Sequence, residues 1–240
     1  MNLLAYDPTA PLIFIHIPKA GGVSCRAVFD AWFGSDLYPH YFRPKGYGLP
    51  PQRDFSQLLR EGTPSVIYGH FNKHRDFGVE QYYPEATQFM TILRDPLDMH
   101  ISRFFYAGRV EKSGRKIFDA PNNKSLEDFV KTGHLNMLEH FPRQVTMSNY
   151  RDIIEEYFLH IGFLDRLDES LNHMAKILNK PSVDTKIPHL NASARTQSVS
   201  AEIEQVFREK HELEYCVYTH ARNLFLPRQL QTQMTPERPL

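Results

Sequence analysis

Short, nearly unbroken apolar runs alternate with amphipathic stretches along this chain. Leu12-Ile13-Phe14-Ile15-His16-Ile17, bounded by Pro11 and Pro18, is rich in β-branched and aromatic residues and reads as a buried strand. Lys19 to Ser24 is a glycine turn, and Cys25 to Phe33 then looks helical. Val66-Ile67-Tyr68 is a second strand ending at Gly69-His70, and Phe89 to Leu93 is a third ending at Arg94-Asp95-Pro96. Asp95 suits an N-cap and Pro96 a first helical position, which predicts a helix to about Tyr106. Ser125 opens another helix, with Asp128 where a capping box prefers Glu. Tyr157 to Phe163 reads as a fourth strand, and Leu167, Leu171, Met174 and Leu178 lay one apolar face on the next helix. Residues 200–225 are helical in pattern.

The remaining stretches read as connections. Gly34 to Pro51, rich in Tyr, Pro and Gly, is an irregular insert; Gly108 to Lys124 and 180–199 are loops, and Pro227 to Leu240 is a loose tail. Strands alternating with helices imply an α/β fold, a mostly parallel sheet covered by helices on both faces. One domain spanning 1–240, with its core at about 12–225, is the expected organisation.

Composition narrows the classes. The 240 residues carry 28 Lys+Arg against 28 Asp+Glu and are 41% hydrophobic, which supports a sizeable core and excludes a generally basic nucleic-acid binder. A local cationic pocket stays open. Cys25 and Cys216, the two cysteines, form neither a CxxC motif nor a disulfide framework. The N-terminal residues lack a signal-peptide pattern, and no run approaches a membrane span. A cytoplasmic location is therefore expected, or a lumenal one if an N-terminal anchor precedes this segment.

Three constellations could carry chemistry. In Pro18-Lys19-Ala20-Gly21-Gly22-Val23-Ser24 the Lys precedes the glycines, so the Walker A order fails, and Gly46-x-Gly48 followed by Pro51 fails the dinucleotide fingerprint. An anion cradle nevertheless remains: small residues admit an oxyanion to the backbone, Ser24 offers a hydroxyl and Lys19 a charge. The alternative is a tight strand-to-helix turn with a surface Lys. Arg94-Asp95-Pro96 with Ser102 could hold a second phosphate, or could simply begin a helix. His70, at a strand's C-terminal end, suits a general base; a metal shared with His74 finds no supporting carboxylate cluster. His16 reads as a core or rim residue.

Together these segments resemble the sulfotransferases that use 3′-phosphoadenosine 5′-phosphosulfate (PAPS), in particular the heparan sulfate 2-O and 6-O enzymes. Phe14-Ile15-His16-Ile17-Pro18-Lys19-Ala20-Gly21-Gly22-Val23-Ser24 looks like that family's 5′-phosphosulfate loop, with Ala20 and Val23 where Thr is usual. Ile92 to Pro96 through Ser102 to Tyr106 resembles its 3′-phosphate segment, and Tyr68-Gly69-His70-Phe71 its catalytic His segment. The 2-O branch has a second His where Tyr68 stands. More weakly, Glu156 to Leu159 looks like the family's Tyr-Phe-Leu segment, and Ile187-Pro188-His189-Leu190-Asn191 sits where relatives close a loop over the nucleotide.

The resemblance implies a P-loop-NTPase-like three-layer fold and an O-sulfotransferase. PAPS would be the co-substrate, PAP the product, and a hydroxyl, expected on a carbohydrate or glycoconjugate, the acceptor. No metal is expected. His70 would be the base and Lys19 the stabiliser of the leaving group. Lys19, Ala20, Gly21, Gly22, Val23, Ser24, Arg94, Ser102, Leu190 and Asn191 would bind the nucleotide. The rivals are a nucleotide-dependent kinase on a related fold and an inactive PAP-binding module. Acceptor contacts are expected from Gly34–Pro51, with Tyr38, Tyr41, Phe42, Arg43, Lys45 and Tyr47, and from Gly108–Lys124, with Lys112, Arg115, Lys116 and Lys124. Arg53 lies beside the first loop. These basic residues could equally be solvated surface.

Overall fold

The computed structural model describes residues 4–42, 48–58, 64–112, 124–183 and 198–226. Its centre is a five-stranded, all-parallel sheet in the order β2-β3-β1-β4-β5, flanked by helices. The strands are β1 (Leu12–Ile15), β2 (Leu37–His40), β3 (Val66–Gly69), β4 (Phe89–Leu93) and β5 (Phe158–Phe163). In chain order the helices are α1 (Gly22–Phe33), α2 (Phe55–Leu58), α3 (Val79–Tyr82), α4 (Pro96–Lys112), α5 (Leu126–Thr132), α6 (Tyr150–Tyr157), α7 (Leu167–Ile177), α8 (Ala201–Lys210) and α9 (Glu212–Phe225).

Strands β1, β3, β4 and β5 are buried at every position. That is why each reads as a continuous apolar run rather than an alternating one. Strand β2 falls inside the segment expected to be an irregular insert. It carries Pro39, with only its two end residues buried, and it lies at the sheet edge, where a residue without an N–H is tolerated. Helix α4 runs six residues past its expected end, into the start of the Gly108–Lys124 loop; 113–123 lie outside the described residues. The helical stretch 200–225 is two helices meeting at His211, a buried residue whose ring packs at a tilt against Phe207. Ser125 caps α5 as expected, accepting the Asp128 N–H. Residues 227–240 and Ile187 to Asn191 lie outside the described residues.

Topology and register fix the site. The chain leaves β1 for β2 and β3 on one side and for β4 and β5 on the other, so the reversal point of the sheet lies at β1. Open α/β sheets bind ligands at the C-terminal edge beside such a point. Ile15 pairs with Gly69 and with Thr91 there. His16 and His70, the next residues of their strands, are therefore neighbours by register. A Cβ on Gly69 would lie 1.8 Å from the His40 carbonyl oxygen, so only glycine lets β2 and β3 close at this edge.

Candidate active site

The turn after β1 is held in a shape that presents backbone to solvent. Lys19 has φ +70 and Gly21 φ +81, both left-handed, and an Arg94 guanidinium N–H donates to the Lys19 carbonyl at 3.1 Å. The Ala20 N–H is taken by the Ile17 carbonyl, so of the expected cradle groups it is spent inside the turn. The first helical bond of α1 is Cys25 N–H to the Gly21 carbonyl, which leaves the Gly22, Val23 and Ser24 N–H groups ahead of the helical ladder. Gly21 provides no side-chain cap, and the first turn carries no acid. Val23 is exposed and Ser24 buried.

Three cations gather here. Burial first, then Arg109 and Arg94, lower the Lys19 pKa to about 8, and its Nζ lies 4.0 Å from the centre of the Tyr106 ring. Arg109 was not singled out in the sequence. The signal was present: it follows Ser102 by seven positions, two turns along the same face of α4. Ser102 itself is buried on α4. Leu190 and Asn191 lie outside the described residues.

The His70 ring is held in one tautomer. Its Nδ1–H donates to the His16 carbonyl at 2.6 Å, which leaves Nε2 as the lone-pair nitrogen. Burial lowers its pKa, the His16 carbonyl works the other way, and Arg75 lowers it further. The imidazole is thus neutral near pH 7, as a proton acceptor must be. Tyr68 has a different task from the histidine of the resembling branch. It is fully buried, stacks on Phe14 and donates its hydroxyl to the Gly22 carbonyl at 2.7 Å, tying β3 to the first turn of α1. The second imidazole beside His70 comes instead from His16, with ring centres 4.3 Å apart. His16 is half-buried at the rim of the sheet, and parallel register makes it the neighbour of His70.

Lys19 and His70 open on one cavity of about 730 Å³. Its walls include Phe42, Phe77, Tyr106 and Phe129, with Arg75, Arg103 and Lys124 among the cations and Glu139 held by Asn72 at 3.0 Å. Phe42 and Lys124 come from the two segments expected to meet an acceptor. His140, buried in the wall, has its pKa pushed down to about 3 by burial, then by His70. Among the described residues no group of three His, Cys, Asp or Glu side chains is placed to hold a metal ion, and no helix is long and apolar enough to cross a membrane.

A glycine turn with Lys19, Arg94 and Arg109 beside it and a neutral histidine thus meet at the switch point of a parallel sheet. Comparison with solved structures gives the fold a counterpart. The chain is similar to the mouse sulfotransferase SULT7A1 complexed with PAP, with a TM-score of 0.51 over 90% of this chain and 89% of that one, at 13% identity. The likeness is one of fold. No family model and no curated protein matches by sequence.

Proposed function

We propose that this chain transfers the sulfuryl group of PAPS to a hydroxyl acceptor, of carbohydrate type, within a single sulfotransferase domain. The observation that carries the reading is the convergence of two unlike groups on one cavity: the His70 base and the Lys19 cradle. The similar fold of a sulfotransferase that binds PAP is consistent with it.

In this reading the acceptor oxygen attacks sulfur in line while the His70 Nε2 takes its proton. The sulfur–oxygen bond to the 5′-phosphate breaks, and the electron pair leaves with PAP. Lys19 and the N–H groups of Gly22, Val23 and Ser24 offset the charge growing on the leaving oxygen. Arg94, with Ser102, would hold the 3′-phosphate, and Leu190 and Asn191 would close over the nucleotide. The aromatic walls offer faces for a sugar, and the cavity cations suit acidic substituents.

Thermal unfolding with PAP, and separately with ATP and Mg²⁺, tests the donor. The expected result is a rise in Tm with PAP alone. A rise only with ATP and Mg²⁺ would favour a kinase, and PAP binding without transfer to any acceptor would favour an inactive module.

A further inference from the structure

The His16 ring lies between the base and the cradle. One side of it meets His70, with ring centres 4.3 Å apart. On the other, a Cβ added to Gly22 would lie 1.8 Å from both Nε2 and Cδ2 of His16. Gly22 is therefore glycine because the imidazole fills the space of its side chain. His16 thus stands between two residues that line the cavity, Lys19 in the turn and His70 after β3.

The proton on His16 can be placed by following donors. The positive Arg26 guanidinium acts on the Tyr41 hydroxyl and favours its proton pointing away. Tyr41 Oη lies 3.0 Å from His16 Nδ1, so its own proton is directed there. With Nδ1 accepting, a neutral ring carries its hydrogen on Nε2, the atom beside Gly22. Burial is the largest of the effects that lower the His16 pKa, with His70 next, and the ring stays neutral.

We infer that His16 is a further catalytic residue: its Nε2–H donates to the sulfuryl oxygens during transfer, with Arg26 and Tyr41 fixing the tautomer. This rests on the PAPS reading of the same site. A neutral donor suits the position, because a cationic His16 would repel both Lys19 and a proton-bearing His70. His16 stands one step past β1, Tyr41 directly after β2 and Arg26 one turn into α1.

Calorimetry with PAPS and with PAP separates this role from general support. Removing a hydrogen bond to a charged group should cost about 10–100-fold in affinity. His16→Phe is expected to lose that much for PAPS while PAP affinity stays near wild type. His16→Gln, whose amide N–H stands near the Nε2 position, should recover most of it. Nitrogen NMR of the His16 ring should give the Nε2–H tautomer in the wild type and a mixture in Tyr41→Phe, a variant that retains the ring if His16→Phe fails to fold. Equal losses for PAPS and PAP, no loss for either, or an Nδ1–H tautomer in the wild type would overturn the inference. A wild type that binds neither nucleotide would remove the donor reading itself, and this role with it.

Discussion

Two pairs of histidine rings lie against one another in this protein with nearly the same spacing, the first tilted and the second stacked. His16 and His70 lie 4.3 Å apart, and His160 and His173 lie 4.5 Å apart. Burial is the main force lowering the pKa in both pairs, to about 3 at His160. Their surroundings differ. His160 sits within β5, and among the described residues neither ring nitrogen has a hydrogen-bond partner. His16 and His70 instead stand just past their strands, beside the N-terminus of α1. Each has an Nδ1 partner, and His70 opens on the cavity. A depressed pKa and ring pairing thus do not mark a site. What sets the first pair apart is its placement at the C-terminal edge of a parallel sheet, with a partner on each Nδ1.

The sharpest way to break this contrast is to remove one ring from each pair. His70→Ala should lower kcat for sulfate transfer at saturating PAPS by roughly 10²–10⁴-fold, the usual contribution of a general base. His160→Phe should leave kcat unchanged. Comparable losses in the two variants would erase the distinction.

The next largest effect concerns the cradle beside the first pair. Lys19→Ala should cost about 10²–10³-fold in kcat, as for loss of one group stabilising a developing oxyanion. The pH profile of kcat/KM follows from the two groups. It should rise through a pKa below 6.5 as His70 becomes neutral, and fall above about 8 as Lys19 loses its proton. Lys19→Arg should move the alkaline limb upward, because guanidinium keeps its proton. An unmoved limb would dissociate Lys19 from the profile.

Arg94→Ala should weaken PAP binding by about 10–100-fold by calorimetry, since a charged donor to a phosphate would be lost. Unchanged affinity would confine Arg94 to its bond with the Lys19 carbonyl.

The smallest effect is on stability. Unfolded histidines take up protons near pH 6.5, whereas His140 and His160 in the folded chain resist until about 3. Between these values the unfolded chain binds more protons. Their contribution is therefore whole above about pH 6.5 and is lost as pH falls toward 3. His160→Phe, a swap of similar shape, should change stability at pH 7 by no more than about 1.5 kcal/mol and flatten the acid dependence seen in urea unfolding. An acid slope identical to wild type would contradict burial as the cause of the shift.

Much of this was legible in the sequence because parallel strands buried on both faces leave apolar runs that end where the chemistry begins. Lys19, His70 and Arg94 each follow such a run, and the structure brings all three to one edge. Strand β2 was not legible, because Pro39 argues against a strand unless its edge position is known. Nor was the role of His16: its value comes from register with His70 and from Gly22 yielding space, and both are relations between distant segments. Arg109 joined the cation cluster through helix phase alone. Ser102 lies buried on α4, two turns before Arg109.

The account is tested most directly by incubating the wild type and His70→Ala with radiolabelled PAPS and a panel of hydroxylated glycans, then measuring label in the acceptor. It predicts labelled glycan from the wild type and a loss of at least about 10²-fold in the variant. Equal incorporation by the two proteins, or none by the wild type with any acceptor, would contradict it.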